Sequence, residues 1–129
     1  MKLGKSVREA FGLALAKLGE SHADVVVVDG DVHNSTRTDF FAKKFPDRFF
    51  NVGIAESNLV SAASGMAGAG KRAWLASFAC FVMCNAYDQL RMSVAFPALD
   101  VKVVGTHAGI SIGEDGPSQM VESLPFGPP

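Results

Sequence analysis

The run Asp24-Val25-Val26-Val27-Val28-Asp29 constrains this chain more than any other stretch. Branching at Cβ restricts the side chain in a way that a pleated sheet accepts and a helix penalises. A half-exposed strand would alternate apolar with polar residues. This run does not alternate, so both of its faces have to be covered, as in a parallel sheet flanked by helices. Three further stretches read as strands: Phe49 to Val52, Arg72 to Ser77 and Val101 to Thr106. Helical periods lie between them. Strand–helix alternation of this kind predicts an α/β fold with a mainly parallel sheet, here in three βα units.

The helices have readable ends and faces. Ser6 to Leu18 predicts an amphipathic helix with Ser6 as N-cap and Glu9 completing a capping box. Val7, Phe11, Ala14, Leu15 and Leu18 form its apolar face, and Gly19 can close it. Arg8 lies in the first turn, where the helix dipole disfavours a cation. A solvated surface cation is the ordinary explanation, and a role elsewhere is the alternative. Gly30 to Thr36 reads as a polar loop. Thr38 to Lys44 predicts a short helix with Phe40, Phe41 and Phe45 as core candidates, stopped by Pro46. A helix from about Ala55 to Ala69 carries Leu59, Ala62, Ala63, Met66 and Ala67 on a small-residue face that suits an interface. A long helix follows Phe78 and reaches about Ala95 before Phe96-Pro97. Val101 to Thr106 reads as a further buried strand.

Length and composition bound the class. The chain has 129 residues, a one-domain length, with 48% hydrophobic and 19% charged residues, so it is globular. A net charge of -1 offers no field for nucleic acid or an anionic membrane. No apolar run approaches the ~20 residues of a membrane span, and the basic start has no signal-length apolar run after it, so a cytoplasmic location is expected. Cys80 and Cys84 are four apart, with no second pair for a zinc site, and read as buried free thiols.

Glu56 is the one acidic residue between Asp47 and Asp88, in the first turn of a helix rich in Ala, Ser and Gly. On spacing alone the ordinary reading is a partner of the helix dipole. The alternative is a buried carboxylate that handles a proton. Loops at Asp31, at Phe78 and from His107 to Asp115 converge on the C-terminal edge of the predicted sheet, where open α/β proteins bind ligands. Gly30-Asp31 lacks the glycine that a metal–diphosphate motif would carry next, since Val32 stands there.

Three segments resemble a known family in order. They are Gly53-Ile54-Ala55-Glu56, Ser77-Phe78-Ala79-Cys80-Phe81, and Thr106-His107 with Gly113-Glu114-Asp115-Gly116-Pro117-Ser118. Together they resemble the pyrimidine-binding domain of thiamine diphosphate-dependent enzymes of the transketolase type, with the C-terminal subunit of a split transketolase as the nearest flavour. The resemblance implies the thiamine diphosphate-binding (pyrimidine domain) fold and transfer of a two-carbon ketol unit between sugar phosphates. It implies that Glu56 hydrogen-bonds the coenzyme's aminopyrimidine and that Phe78 and Phe81 wall it, with Cys84 where a third aromatic is usual. It further implies Asp31 near the thiazolium, His107 and Asp115 on substrate hydroxyls, His107 also as a catalytic residue, and Arg8 and Ser35 on a sugar phosphate. No metal ligand is expected in this chain, because magnesium belongs to a partner domain.

The chain departs from the family pattern in several places. The diphosphate-binding domain reads as missing and the C-terminal part as truncated, ending in Pro125-Phe126-Gly127-Pro128-Pro129. Gln119 stands where the family's second signature His would follow Ser118. Ala108 follows His107 in place of Asp. Residues 1–129 are therefore expected to form a single pyrimidine-binding domain, a half-site inactive without a partner chain. The expected assembly is a homodimer or a hetero-oligomer with a diphosphate-binding subunit. The alternative is a truncated or repurposed dimeric binding module.

Overall fold

A computed structural model describes residues 4–120. The tail from Pro125 to Pro129, read above as a premature end, lies outside the described residues. The four valines fall on β1 (Val25–Asp29), every residue of which is buried. Their side chains alternate between two cores. Val25 and Val27 pack with Leu15 and Phe41, while Val26 and Val28 pack with Leu59, Val60, Ala63 and Leu75. This two-sided burial is what the unbroken apolar run requires, and each fully buried valine contributes roughly 1.5–3 kcal/mol of transfer free energy.

The sheet has four parallel strands in the order β2 (Phe49–Asn51), β1, β3 (Arg72–Phe78), β4 (Val101–Thr106). One face is covered by α1 (Val7–Ser21) and α3 (Asp39–Lys44), the other by α4 (Glu56–Gly68) and α5 (Ala79–Asn85). The chain leaves β1 toward β2 and then crosses back to β3. The direction of travel therefore reverses between β1 and β3, and ligands of open α/β sheets bind at such reversals, outside the carboxyl ends of the strands.

Several expectations are corrected. Ser6 does cap α1, accepting the Glu9 N–H at 3.3 Å, but the helix runs on to Ser21 and Gly19 is buried inside it. Val7 points to solvent, 87% exposed, and Ala14 is exposed as well, so the buried stripe is Gly12, Leu15 and Gly19, with Phe11 and Leu18 half-buried beside it. The stretch read as a loop after Asp31 holds a one-turn helix, α2 (His33–Thr36). The small-residue face of α4 is not a free interface: Leu59 and Ala63 are fully buried against the sheet, with Ala62, Met66 and Ala67 beside them. Small side chains there let α4 sit close to its own strands. The long helix predicted after Phe78 is broken at Ala86, whose backbone leaves the helical region (φ -125°, ψ 20°), and the chain continues as α6 (Tyr87–Gln89) and a π-helical turn, Leu90–Ala95. The strand β4 is an edge with Val103 38% exposed, not a buried strand. Cys84 is exposed, whereas Cys80 is buried and its thiol donates to the Gln119 carbonyl at 3.2 Å.

Candidate functional site

The carboxyl ends of the four strands carry the polar groups. At the end of β1, Asp29 is fully buried. Its Oδ1 accepts the Val32 N–H at 2.7 Å, and its Oδ2 accepts the hydroxyls of Thr36 (2.9 Å) and Thr38 (2.8 Å). Burial pushes this carboxyl above its ordinary range, and the three hydrogen bonds oppose that rise. Asp29 thereby folds the loop that presents Asp31 and Ser35. Asp31 is exposed, in left-handed backbone (φ 66°), and its Oδ1 accepts the Asn51 side-chain amide at 2.7 Å. Asn51 in turn accepts the Gly53 N–H at 2.9 Å, which holds the turn into α4.

Arg8, Ser35 and His107 come from three distant stretches and meet. One guanidinium nitrogen of Arg8 donates to the Ser35 carbonyl at 3.0 Å and to His107 Nε2 at 2.9 Å. Arginine has donors only, so Nε2 is an acceptor and the ring proton sits on Nδ1. Nδ1 lies 2.9 Å from the Thr106 hydroxyl, which donates onward to the Ser77 carbonyl at 3.4 Å. His107 is therefore held neutral. Burial lowers its pKa first, the adjacent Arg8 charge lowers it further, and Asp115 works in the opposite direction. His107 adopts φ 57°, in the same left-handed region as Asp31. Among the described residues, two of the four non-glycine residues in that region thus lie just past the ends of β1 and β4, and such strain gathers at working sites. A cleft of about 560 Å³ opens between the first turn of α1 and the end of β4, with Arg8, Phe11, Thr106 and His107 on its walls.

Phe78 stacks on Phe81, ring centroids 5.4 Å apart and planes nearly parallel at 6°, and its other aromatic neighbour is the His107 ring at 4.1 Å. Phe78 is buried with Cys80 and Ile112, so it also serves a small core, while Phe81 is half-buried. Glu56 is the first residue of α4 and 7% exposed. Among the described residues its side chain accepts from no backbone N–H; its Oε2 instead accepts the Asn85 side-chain amide at 3.3 Å. Asp115 sits on an exposed loop, and its backbone carbonyl accepts the Ser118 hydroxyl.

Sequence reasoning missed Asp29 and Asn85. Asp29 was legible only as the charged flank of a strand. Asn85 was hidden inside a helix read as continuous.

The chain matches the family model described as the transketolase pyrimidine-binding domain over residues 4–125. It is 46% identical to a putative transketolase C-terminal section from Methanocaldococcus jannaschii, covering 93% of this chain and 38% of that protein. It is 50% identical to the mouse transketolase-like protein 2 and 44% identical to human transketolase, covering 92% of this chain and 19% of each. A solved structure described as a split gene transketolase, inactive beta4 tetramer, superimposes with a TM-score of 0.75 at 46% identity, covering 83% of this chain and 36% of that one. The chain therefore spans between 19% and 38% of the length of these curated relatives.

Proposed function

The chain belongs to the family of transketolase pyrimidine-binding domains, and from that premise we propose that it is a single-domain half-site of a thiamine diphosphate-dependent, transketolase-type enzyme, active only with a chain that supplies the diphosphate- and magnesium-binding half. The observation that carries this reading is the meeting of Arg8, the Ser35 carbonyl and His107 in one hydrogen-bonded cluster, from residues up to 99 positions apart. Arg8 keeps further N–H donors for a phosphate group, which explains a cation at the start of a helix.

The residues present fit the pyrimidine end of the coenzyme. Glu56 offers a shielded carboxylate with one oxygen held by Asn85 and the other accepting no hydrogen bond among the described residues. Phe78 and Phe81 offer a stacked aromatic wall. When bound, the coenzyme supplies the electron sink for two-carbon transfer. The protein's own groups bind and orient: Glu56 presents its second carboxylate oxygen to the pyrimidine, Asp31 lies toward the thiazolium side, and Arg8, Ser35, His107 and Asp115 bind the sugar phosphate. The relative described as an inactive beta4 tetramer supports inactivity of the isolated chain. The exposed Cys84, in the place of a third aromatic, leaves one wall open and favours the second reading, a non-catalytic binding module.

Calorimetric titration with thiamine diphosphate and magnesium, of the chain alone and with the diphosphate-binding half of a split transketolase, separates the two readings. Binding is expected only with the added half. In that complex Glu56→Gln is expected to keep the fold and lower two-carbon transfer by at least about a hundredfold, the scale of a lost proton-handling group. Full activity of Glu56→Gln would remove Glu56 from the chemistry. No binding with either preparation would favour the non-catalytic module.

A further inference from the structure

We propose that Asn85 is the positioning residue of Glu56, orienting its carboxylate so that one oxygen is held and the other faces the pyrimidine site; the inference rests on the function proposed above. The break at Ala86 creates the arrangement. A helix that ends at Asn85 leaves carbonyls without intrahelical partners. The Asn85 carbonyl accepts the Ser57 hydroxyl at 2.7 Å, and the Asn85 side-chain amide donates to Glu56 Oε2 at 3.3 Å. Two consecutive residues at the start of α4 are therefore gripped by one residue at the end of α5, once through its backbone and once through its side chain. The backbone contact fixes where Asn85 sits, and the side-chain contact selects which carboxylate oxygen is occupied. A carboxylate free to rotate would lose that selection, because its two oxygens are otherwise equivalent. Asn85 itself is exposed, so its side chain is not required for the core.

The contact is tested first on the isolated chain. In the isotopically labelled protein, Glu56→Ala removes the acceptor, and the Asn85 side-chain amide resonances are expected to move to the positions of a solvated amide. Resonances that ignore the substitution overturn the proposal. The role is tested next in the complex with a diphosphate-binding half. Asn85→Asp keeps the size and the backbone contact to Ser57 but has no amide donor and sets a like charge beside Glu56. Asn85→Ala removes the donor without adding charge. Thiamine diphosphate is expected to bind about tenfold more weakly to Asn85→Ala, the scale of one hydrogen bond to a charged group, and more weakly still to Asn85→Asp. A packing role alone would spare Asn85→Asp. Wild-type binding with unchanged affinity in both variants overturns this inference and leaves the proposed function standing. Absence of binding by the wild-type complex counts against the proposed function, and the amide resonances still decide whether Asn85 holds Glu56.

Discussion

His107 shows how one residue's charge state follows from its neighbours. Its Nε2 faces an Arg8 N–H, so protonation would set two donors against each other. A base whose folded pKa is depressed stabilises the fold above its unfolded pKa, near 6.5 for histidine, and that contribution is lost as pH falls through the folded value. Two causes depress it, burial and Arg8, and they can be separated. Arg8→Met is expected to raise the His107 titration midpoint in imidazole NMR part of the way toward the ordinary value. The remainder, set by burial, stays. An unchanged midpoint would mean that the Arg8 charge does not act on the ring. At Asp29 the linkage has the opposite sign: burial raises an acid, so its contribution falls as pH rises from the ordinary carboxylate range through the raised value.

At the scale of elements, close approach between helices decides what the site can reach. Gly12 lies in α1 where it crosses the loop before α3, and a methyl built there would overlap the Arg37 carbonyl and come within 2.8 Å of the Phe40 ring. Helix propensity alone favours alanine over glycine by about 0.5–1 kcal/mol. The overlap with backbone outweighs it, since overpacking costs about 1–3 kcal/mol. Gly12→Ala is therefore expected to lower the midpoint of thermal unfolding by several degrees, read by circular dichroism, and to weaken the Arg8–Ser35 contact that the approach of α1 makes possible. An unchanged or raised midpoint would mean that α1 sits farther from the Arg37 loop. The break after α5 is the second such decision, because a helix continued through Ala86 would have kept the Asn85 carbonyl for its own ladder.

At the scale of the whole molecule, several large apolar side chains face solvent. Val7, Ile54, Phe96 and Ile110 are each at least 80% exposed, and Tyr87 is 61% exposed. Scattered apolar residues are ordinary on surfaces, but Ile54 lies two residues before Glu56, at the rim of the candidate site. We expect the diphosphate-binding half of a split transketolase to shift this chain to a larger hetero-oligomer in light scattering, and Ile54→Asp to weaken that association without lowering the chain's own thermal midpoint. A mixture that scatters as two independent species would count against a partnered half-site.

The sequence by itself determined the class of fold, because four consecutive β-branched residues can be satisfied only by a strand covered on both faces. It also marked Glu56, Phe78, Phe81 and His107, through short segments whose order along the chain matches a family. The tertiary structure alone decided which of these meet. Hydrogen bonds between residues as far apart as Arg8 and His107 depend on how the strands are ordered, and the small-residue face of α4 could serve a partner or the chain's own sheet until the packing chose the sheet. Asn85 and Asp29 were illegible for the same reason. A polar residue declares its role only through what lies beside it in space, and period and spacing along the chain carry no record of that.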